Sequence, residues 1–538
     1  MRKGMALPLF FLLLIQAAKT TAADKYWVFF TDKNGSEFNP QTYFDQGAID
    51  RRNRTGIPLC DSLDFPVNPH YSEIVSSLAD STAYISRWFN GMTVFCTNEE
   101  LLQIQQLPFV KSIEPIVSVE VHPALAPLPS SAKEDVAGLL DYQTSRLQAD
   151  VFKNAGYNGK GICIAVFDCG FPYLKRMNSL AHLFNNNLIK ATYDFKRKNE
   201  NVYHGFWHGT AVLSCIAGIN NGVPMGLAPG ATFLLAKTES AFLETRSEED
   251  AWIAAAEWAD KNGADIISSS LGYTVDFYFN KDLNGKSRLS RAATIAAAKG
   301  ILVVNAAGNE ATSAWEKVVV PADADSVLCI GGTDPYTDYH IYFSSYGPTA
   351  DGRMKPNISA PAHIVAAIDN DLKIVDGTSF STPLIAGFAA CAWQAHRNWS
   401  NMELFFELEK SAHLYPYFDY AHGFGIPQAG FFVNHKDTIK EPTFDLVVVN
   451  TQAKVVLRDK YAHTGDEKML GYSPVRNMYF KDESKDGVLK FYEVILAGQK
   501  EMMDIDFGDY SPGDILTIHF EGYTTTLTIP ETTTDEPH

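Results

Sequence analysis

A strand buried on both faces of a sheet must be apolar at successive positions, and this chain repeats that pattern along its middle. Ile162-Cys163-Ile164-Ala165-Val166-Phe167 is continuously apolar, and similar runs occur at residues 231–236, 264–268, 301–306 and 326–330. Stretches of helical character lie between several of them, at 209–219, 248–262 and 289–299. Alternation of this kind predicts an α/β fold: a doubly wound parallel sheet with helices on both faces. Such folds bind ligands beyond the carboxyl ends of their strands, so the residues just after each run are the candidates for chemistry.

That pattern fills only part of a 538-residue chain, which is too long for one core. At the N-terminus Arg2 and Lys3 precede an apolar run over 5–15 and then small residues around Ala17, Ala18, Ala22 and Ala23. This is the order of a secretory signal, expected to span 1–23. The run is short of the ~20 residues a membrane span needs. No later segment is long and apolar enough either, so the expectation is an exported protein with no membrane span. Residues 24–123 mix short β-like and helical pieces and read as a separate small α/β module. Residues 124–140 are proline- and alanine-rich at their start and read as a linker carrying a processing site. The sheet domain is expected over 141–440. From 441 the helical stretches stop, and runs at 444–449, 453–457, 488–496, 515–520 and 523–529 predict a β-sandwich over 441–530. The polar tail 531–538 is expected to be disordered.

The formal net charge of -18 argues against nucleic acid or an anionic membrane as the main partner. Seven cysteines are few for a disulfide scaffold of this size, and no CxxC pair suggests structural zinc. Most sit in apolar runs and read as small buried hydrophobes. The sequence leaves a Cys60–Cys96 bridge open.

Four places combine a strand end or helix start with a reactive side chain. Gly377-Thr378-Ser379-Phe380-Ser381-Thr382-Pro383 precedes a small and apolar run over 384–390 that reads as a buried helix. Ser379 then sits where unpaired backbone N–H groups collect, and Pro383 is expected in the first turn, where it displaces no hydrogen bond. A serine hydroxyl needs a base to take its proton and donors to hold the oxyanion that forms. Asp168 ends the run from Ile162 and precedes Cys169-Gly170, a position that also suits a plain turn residue. His208 opens the stretch that begins His208-Gly209-Thr210, and a helix start disfavours its charged form. Asn309 follows Ala306-Ala307-Gly308 and suits either a turn or an oxyanion donor. Aspartate, histidine, serine is one of the known chain orders of a catalytic triad. The three are far apart in the chain, so the constellation can only be spatial.

The motifs together resemble those of subtilisin-like serine proteases. Val166-Phe167-Asp168-Cys169-Gly170 resembles the family's aspartate motif, and His208-Gly209-Thr210-Ala211-Val212 its histidine motif. Ala306-Ala307-Gly308-Asn309 resembles the oxyanion motif, and Gly377-Thr378-Ser379 with Pro383 the nucleophile motif. Ser270-Leu271-Gly272 resembles the edge segment that pairs with substrate backbone. The resemblance covers roughly residues 142–430. It departs at Cys169, where the family usually has Ser or Thr, at Ala211, often a second histidine, and at Phe380-Ser381, usually Met-Ala.

The resemblance implies a secreted serine endopeptidase, made as an autoprocessed precursor and acting on protein or peptide substrates through an acyl-enzyme. In it Ser379 is the nucleophile, His208 the base, Asp168 its orienting partner, and Asn309 an oxyanion donor. It also implies that the N-terminal module is a pro-segment acting as intramolecular inhibitor. No cofactor is required. Many family members bind structural calcium, but no dense carboxylate loop places a metal site here. Two alternatives are a catalytically inactive peptide-binding homologue and a surface adhesive protein.

Overall fold

The computed structural model describes residues 23–116, 135–240, 248–274, 277–434, 441–462, 476–497 and 500–530. Nearly all of the expected signal sequence, the proline-rich start of the linker and the C-terminal tail lie outside them.

Seven strands form the central sheet: β1 Cys163–Asp168, β2 Ile189–Asp194, β3 Thr232–Lys237, β4 Ile266–Ser269, β5 Leu302–Ala306, β6 Val327–Thr333 and β7 Ile358–Pro361. Their spatial order is β7-β6-β5-β4-β1-β3-β2, and every pairing is parallel. The chain fills the β3–β2 side of β1 first and then crosses to β4 on the other side. The direction of winding therefore reverses beside β1, which is where folds of this class open a crevice.

The continuous apolar runs follow from this arrangement. Ile164 and Val166 of β1 enter one core with helices α1 (His208–Ala217) and α4 (Thr378–Ala395). Ala165 and Phe167 enter the other, with α2 (Glu248–Lys261) and α3 (Arg288–Ala298). Successive side chains point to opposite faces, so a strand covered on both sides can have no polar alternation.

Residues 24–116 form a four-stranded antiparallel sheet in the order Ser81–Ser86, Gly91–Cys96, Asp24–Phe30, Val110–Ile116. Helices Pro69–Leu78 and Asn98–Gln105 cover its own small core. Its other side lies on α2 and α3, and Trp27, Trp88 and Ile116 join the core of that layer. Beyond residue 441, sheets of three and four antiparallel strands enclose a separate core built on Val455, Phe480 and Ile518, as a β-sandwich does. The strands Asn477–Glu483 and Glu501–Asp506 belong to it and have no counterpart among the runs read from sequence.

One local expectation changes, and one open question is answered. The end of the linker is not loose: residues Val136–Ser145 form a helix whose Leu139 and Leu140 are buried. All seven cysteines are free, Cys60 and Cys96 included, and all but Cys60 are buried. Among the described residues no helix is long and apolar enough to cross a membrane.

Candidate active site

Asp168 is the last residue of β1 and is fully buried. His208 is the first residue of α1, and its Nδ1 lies 3.0 Å from each carboxylate oxygen of Asp168. Gly209 makes that approach possible. A Cβ there would stand 2.3 Å from the Gly170 carbonyl and 3.0 Å from Asp168 Oδ1, so any larger residue would push the helix off the strand end. A neutral imidazole facing a carboxylate through Nδ1 carries its proton there and keeps a lone pair on Nε2. Asp168 Oδ1 also accepts from the backbone N–H of Cys169 at 2.8 Å and from its Sγ at 3.3 Å. Burial, and then the carboxylate beside it, push the Cys169 thiol well above its usual range. It is therefore a donor to Asp168 rather than a thiolate.

The second half of the site is the start of α4. Gly377 caps it at φ 142°, in the region that favours glycine, and Ser379 is its second residue. The N–H of a residue in that position has no intrahelical acceptor. Asn309 is fixed by its oxygen, which accepts from Thr378 N at 2.9 Å and Thr378 Oγ1 at 3.0 Å. Its Nδ2 lies beside Gly377, 3.5 Å from where a Cβ on that glycine would stand, and it donates to no acceptor among the described residues. The Phe380 ring lies 5.3 Å from the His208 imidazole, which brings the two halves together.

Ser379 Oγ donates to the carbonyl of Ser270 at 3.3 Å and makes no hydrogen bond to His208. Ser270 Oγ in turn donates to the carbonyl of Ser379 at 2.7 Å. Sequence reasoning placed Pro383 in the first helical turn. The helix instead begins at Thr378, because Gly377 turns the chain there, and Pro383 lies inside it.

Leu271 is held by Asn305 Nδ2 on its carbonyl at 2.9 Å, and Tyr273 exchanges two hydrogen bonds with Val320. Val319, which no sequence motif singled out, is wedged between the two segments beside Ser379. A Cβ on Gly272 would meet its Cγ2 at 2.0 Å, and one on Gly308 its Cγ1 at 2.5 Å.

Among the described residues, Asp168, Cys169 and His208 form a group whose ligand atoms lie within 4.8 Å of one another. One thiol, one imidazole and one carboxylate, already bonded together, do not make the oxygen-rich shell that calcium takes.

Residues 159–425 match the model of the subtilase family, and residues 25–131 match that of a peptidase S8 propeptide domain of Bacteroidota. Subtilisin E of Bacillus subtilis (strain 168) is 30% identical over 282 residues, covering 52% of this chain and 67% of its own. The chain belongs to the subtilase family. Other relatives agree with this placement. Alkaline elastase YaB of Bacillus sp. (strain YaB) is 28% identical over 301 residues, 56% of this chain and 72% of that protein. An alkaline protease of Shouchella clausii is 28% identical over 336 residues, 60% and 80% of the two chains. This subtilase is thus a serine endopeptidase that carries a propeptide domain, as a proteolytic precursor does.

Proposed function

We propose that this subtilase is a secreted endopeptidase in which Ser379, His208 and Asp168 act as a catalytic triad through an acyl-enzyme. The observation that carries the reading is the buried Asp168 carboxylate on His208 Nδ1, with that imidazole set against the helix start that bears Ser379. Ser379 Oγ turns from the Ser270 carbonyl to His208 Nε2, gives up its proton there and attacks the scissile carbonyl carbon. Asp168 holds the imidazole in the required tautomer and stabilises the imidazolium. The negative charge that develops on the carbonyl oxygen meets Asn309 Nδ2 and the Ser379 N–H. His208 then protonates the leaving amine, and a water molecule repeats the sequence to release the acyl group. Residues 270–272 offer backbone groups to an extended peptide. Protein side chains and backbone carry every proton and charge in this scheme, so no cofactor takes part.

The N-terminal module is read as an inhibitor of the domain it covers, with the segment between 123 and 140 entering the cleft as the first substrate. The family's propeptide domain and the burial of the module against α2 and α3 support this. Export is supported by the charged, apolar and small-residue order of the first 23 residues. A peptide-binding or adhesive role makes no use of a carboxylate buried against an imidazole and is not favoured.

A serine-directed fluorophosphonate followed by peptide mapping tests the triad. Label is expected on Ser379 of the wild type, with none on Ser379→Ala or His208→Ala. Both variants should fold and lose casein hydrolysis by more than ~10³-fold, because nucleophile and base act as one unit. Casein cleavage by a folded variant at near wild-type rate would refute the assignment.

A further inference from the structure

We propose that Ser270 is a positioning residue for the nucleophile, its hydroxyl making the hydrogen bond to the Ser379 carbonyl that Pro383 withholds. This rests on the reading of Ser379 as nucleophile.

In an α-helix each carbonyl accepts from the N–H four residues on. For Ser379 that residue is Pro383, which has no N–H, although α4 runs unbroken from Thr378 to Ala395. A carbonyl left unpaired in the buried start of a helix is costly and turns to find a donor. Ser270 Oγ reaches it at 2.7 Å from outside the helix. Ser270 is itself buried, and its hydroxyl is spent on this contact rather than offered to a ligand.

The place this contact comes from matters. Strand β4 pairs with β1 so that Ser269 stands beside Phe167. Ser270, one residue on, therefore stands at the strand end next to Asp168. The hydroxyl thus ties the turn that carries the nucleophile to the sheet end that carries the carboxylate. The Ser270 carbonyl, accepting from Ser379 Oγ at 3.3 Å, adds a second tie to the same residue. Without the hydroxyl, the Ser379 peptide plane is free to rotate and carries Cβ and Oγ with it. Displacements of ~1 Å in a reacting group cost up to ~10²-fold in rate.

The test uses the full-length chain as wild type, Ser270→Ala, Pro383→Ala and the double variant. Two quantities are read: the rate of inactivation by diisopropyl fluorophosphate, which is too small to use the peptide-binding edge, and kcat and KM on a peptide anilide. Ser270→Ala should lower the inactivation rate and kcat together by ~10- to 100-fold, with KM within about twofold. Pro383→Ala alone should stay within about threefold of wild type. Combined with Ser270→Ala it should recover at least about fivefold, because the N–H restored at position 383 takes over the carbonyl. If Ser270→Ala does not mature, the double variant should. A double variant as slow as Ser270→Ala, or equally unable to mature, would overturn the proposal. So would a Ser270→Ala effect confined to KM, which would make Ser270 a substrate contact only. Failure of the nucleophile reading would show separately, as wild-type label on a residue other than Ser379.

Discussion

Against helix α2 the N-terminal module sets cations on buried carboxylates beside its Trp27 and Trp88, whereas the C-terminal module meets the protease domain chiefly with aromatic and imidazole rings. Lys25 Nζ lies 2.6 Å from Asp250, and Arg51, Arg52 and Arg87 converge on Asp260 at 2.5, 3.0 and 2.6 Å. Glu257 accepts from Ser86 Oγ at 2.5 Å and from Arg87 N at 3.1 Å. At the C-terminal module, Leu414 and Tyr417 pack on Tyr479 of the sandwich. His340, Tyr346 and His422 there face Tyr492 and Val494 across a cleft of about 240 Å³. Asn477 Nδ2 and Tyr417 Oη add two hydrogen bonds to backbone carbonyls, Thr337 and Phe480. The difference bears on permanence. Carboxylates stripped of their arginines hydrate well, so a face rich in them survives loss of its partner. An aromatic face stripped of its partner exposes apolar surface, as obligate interfaces do. The first pattern suits a module that departs, the second one that stays.

The largest effect expected of this comparison is at Asp260. Burial works to raise its carboxyl, but the Arg51, Arg87 and Arg52 guanidiniums outweigh burial and hold it below the ordinary range. Asp260→Ala would strip Arg51 of its carboxylate and leave Arg52 and Arg87 only Asp64 and Glu257 in a dry interface, a change that typically costs about 3–5 kcal/mol. In a Ser379→Ala precursor, the urea midpoint for loosening the N-terminal module, followed by Trp27 and Trp88 fluorescence, should fall accordingly. An unchanged midpoint would mean the charges do not hold the module.

A smaller effect, at the C-terminal module, comes from acid. Burial, with His422 beside it, pulls His340 down to about 4 against the opposing Ser344 carbonyl and Asp419. Burial, with His519, Arg146 and His422 nearby, pulls His413 to about 3. Lowered histidine values mean the separated state takes up protons first. The contribution of these two groups is complete above ~6.5 and shrinks as pH falls towards 4. The C-terminal module should therefore become more susceptible to limited proteolysis at pH 4.5 than at pH 7. His413→Gln, which keeps an acceptor for the Ile426 N–H, should flatten that dependence. An equal slope in both proteins would remove this histidine from the account.

The parts of the molecule legible in sequence were those whose environment is uniform. Strands β1, β3, β4, β5 and β6 are covered on both faces, so their apolar runs stand out. The edge strands do not. Lys190 and Thr192 of β2 reach solvent or its rim, and β7 is four residues long and ends in a proline. Strand Asn477–Glu483 escaped notice because Lys481 and Asp482, polar yet buried, break its alternation. Asp168, His208 and Ser379 stand out in the sequence because each sits at a strand end or helix start, and Asn309 because it closely follows the strand ending at Ala306. What joins Ser270 to Ser379 does not, since it depends on where α4 begins and on a contact between distant segments. Arg51 and Arg52 likewise look like ordinary surface charges of a short helix until Asp260 is seen beneath them.

If Ser379 is the nucleophile proposed above, it cuts its own chain free of the module held on α2. Wild type and Ser379→Ala, expressed in parallel and subjected to N-terminal sequencing, test it most directly. Mature wild type should begin between residues 123 and 135, ahead of the helix Val136–Ser145 with its buried leucines, and should lack Tyr26. Ser379→Ala should remain one polypeptide from about residue 23 onward. Processing of Ser379→Ala at the same position, or an active wild type that still carries Tyr26 on the same chain, would contradict it.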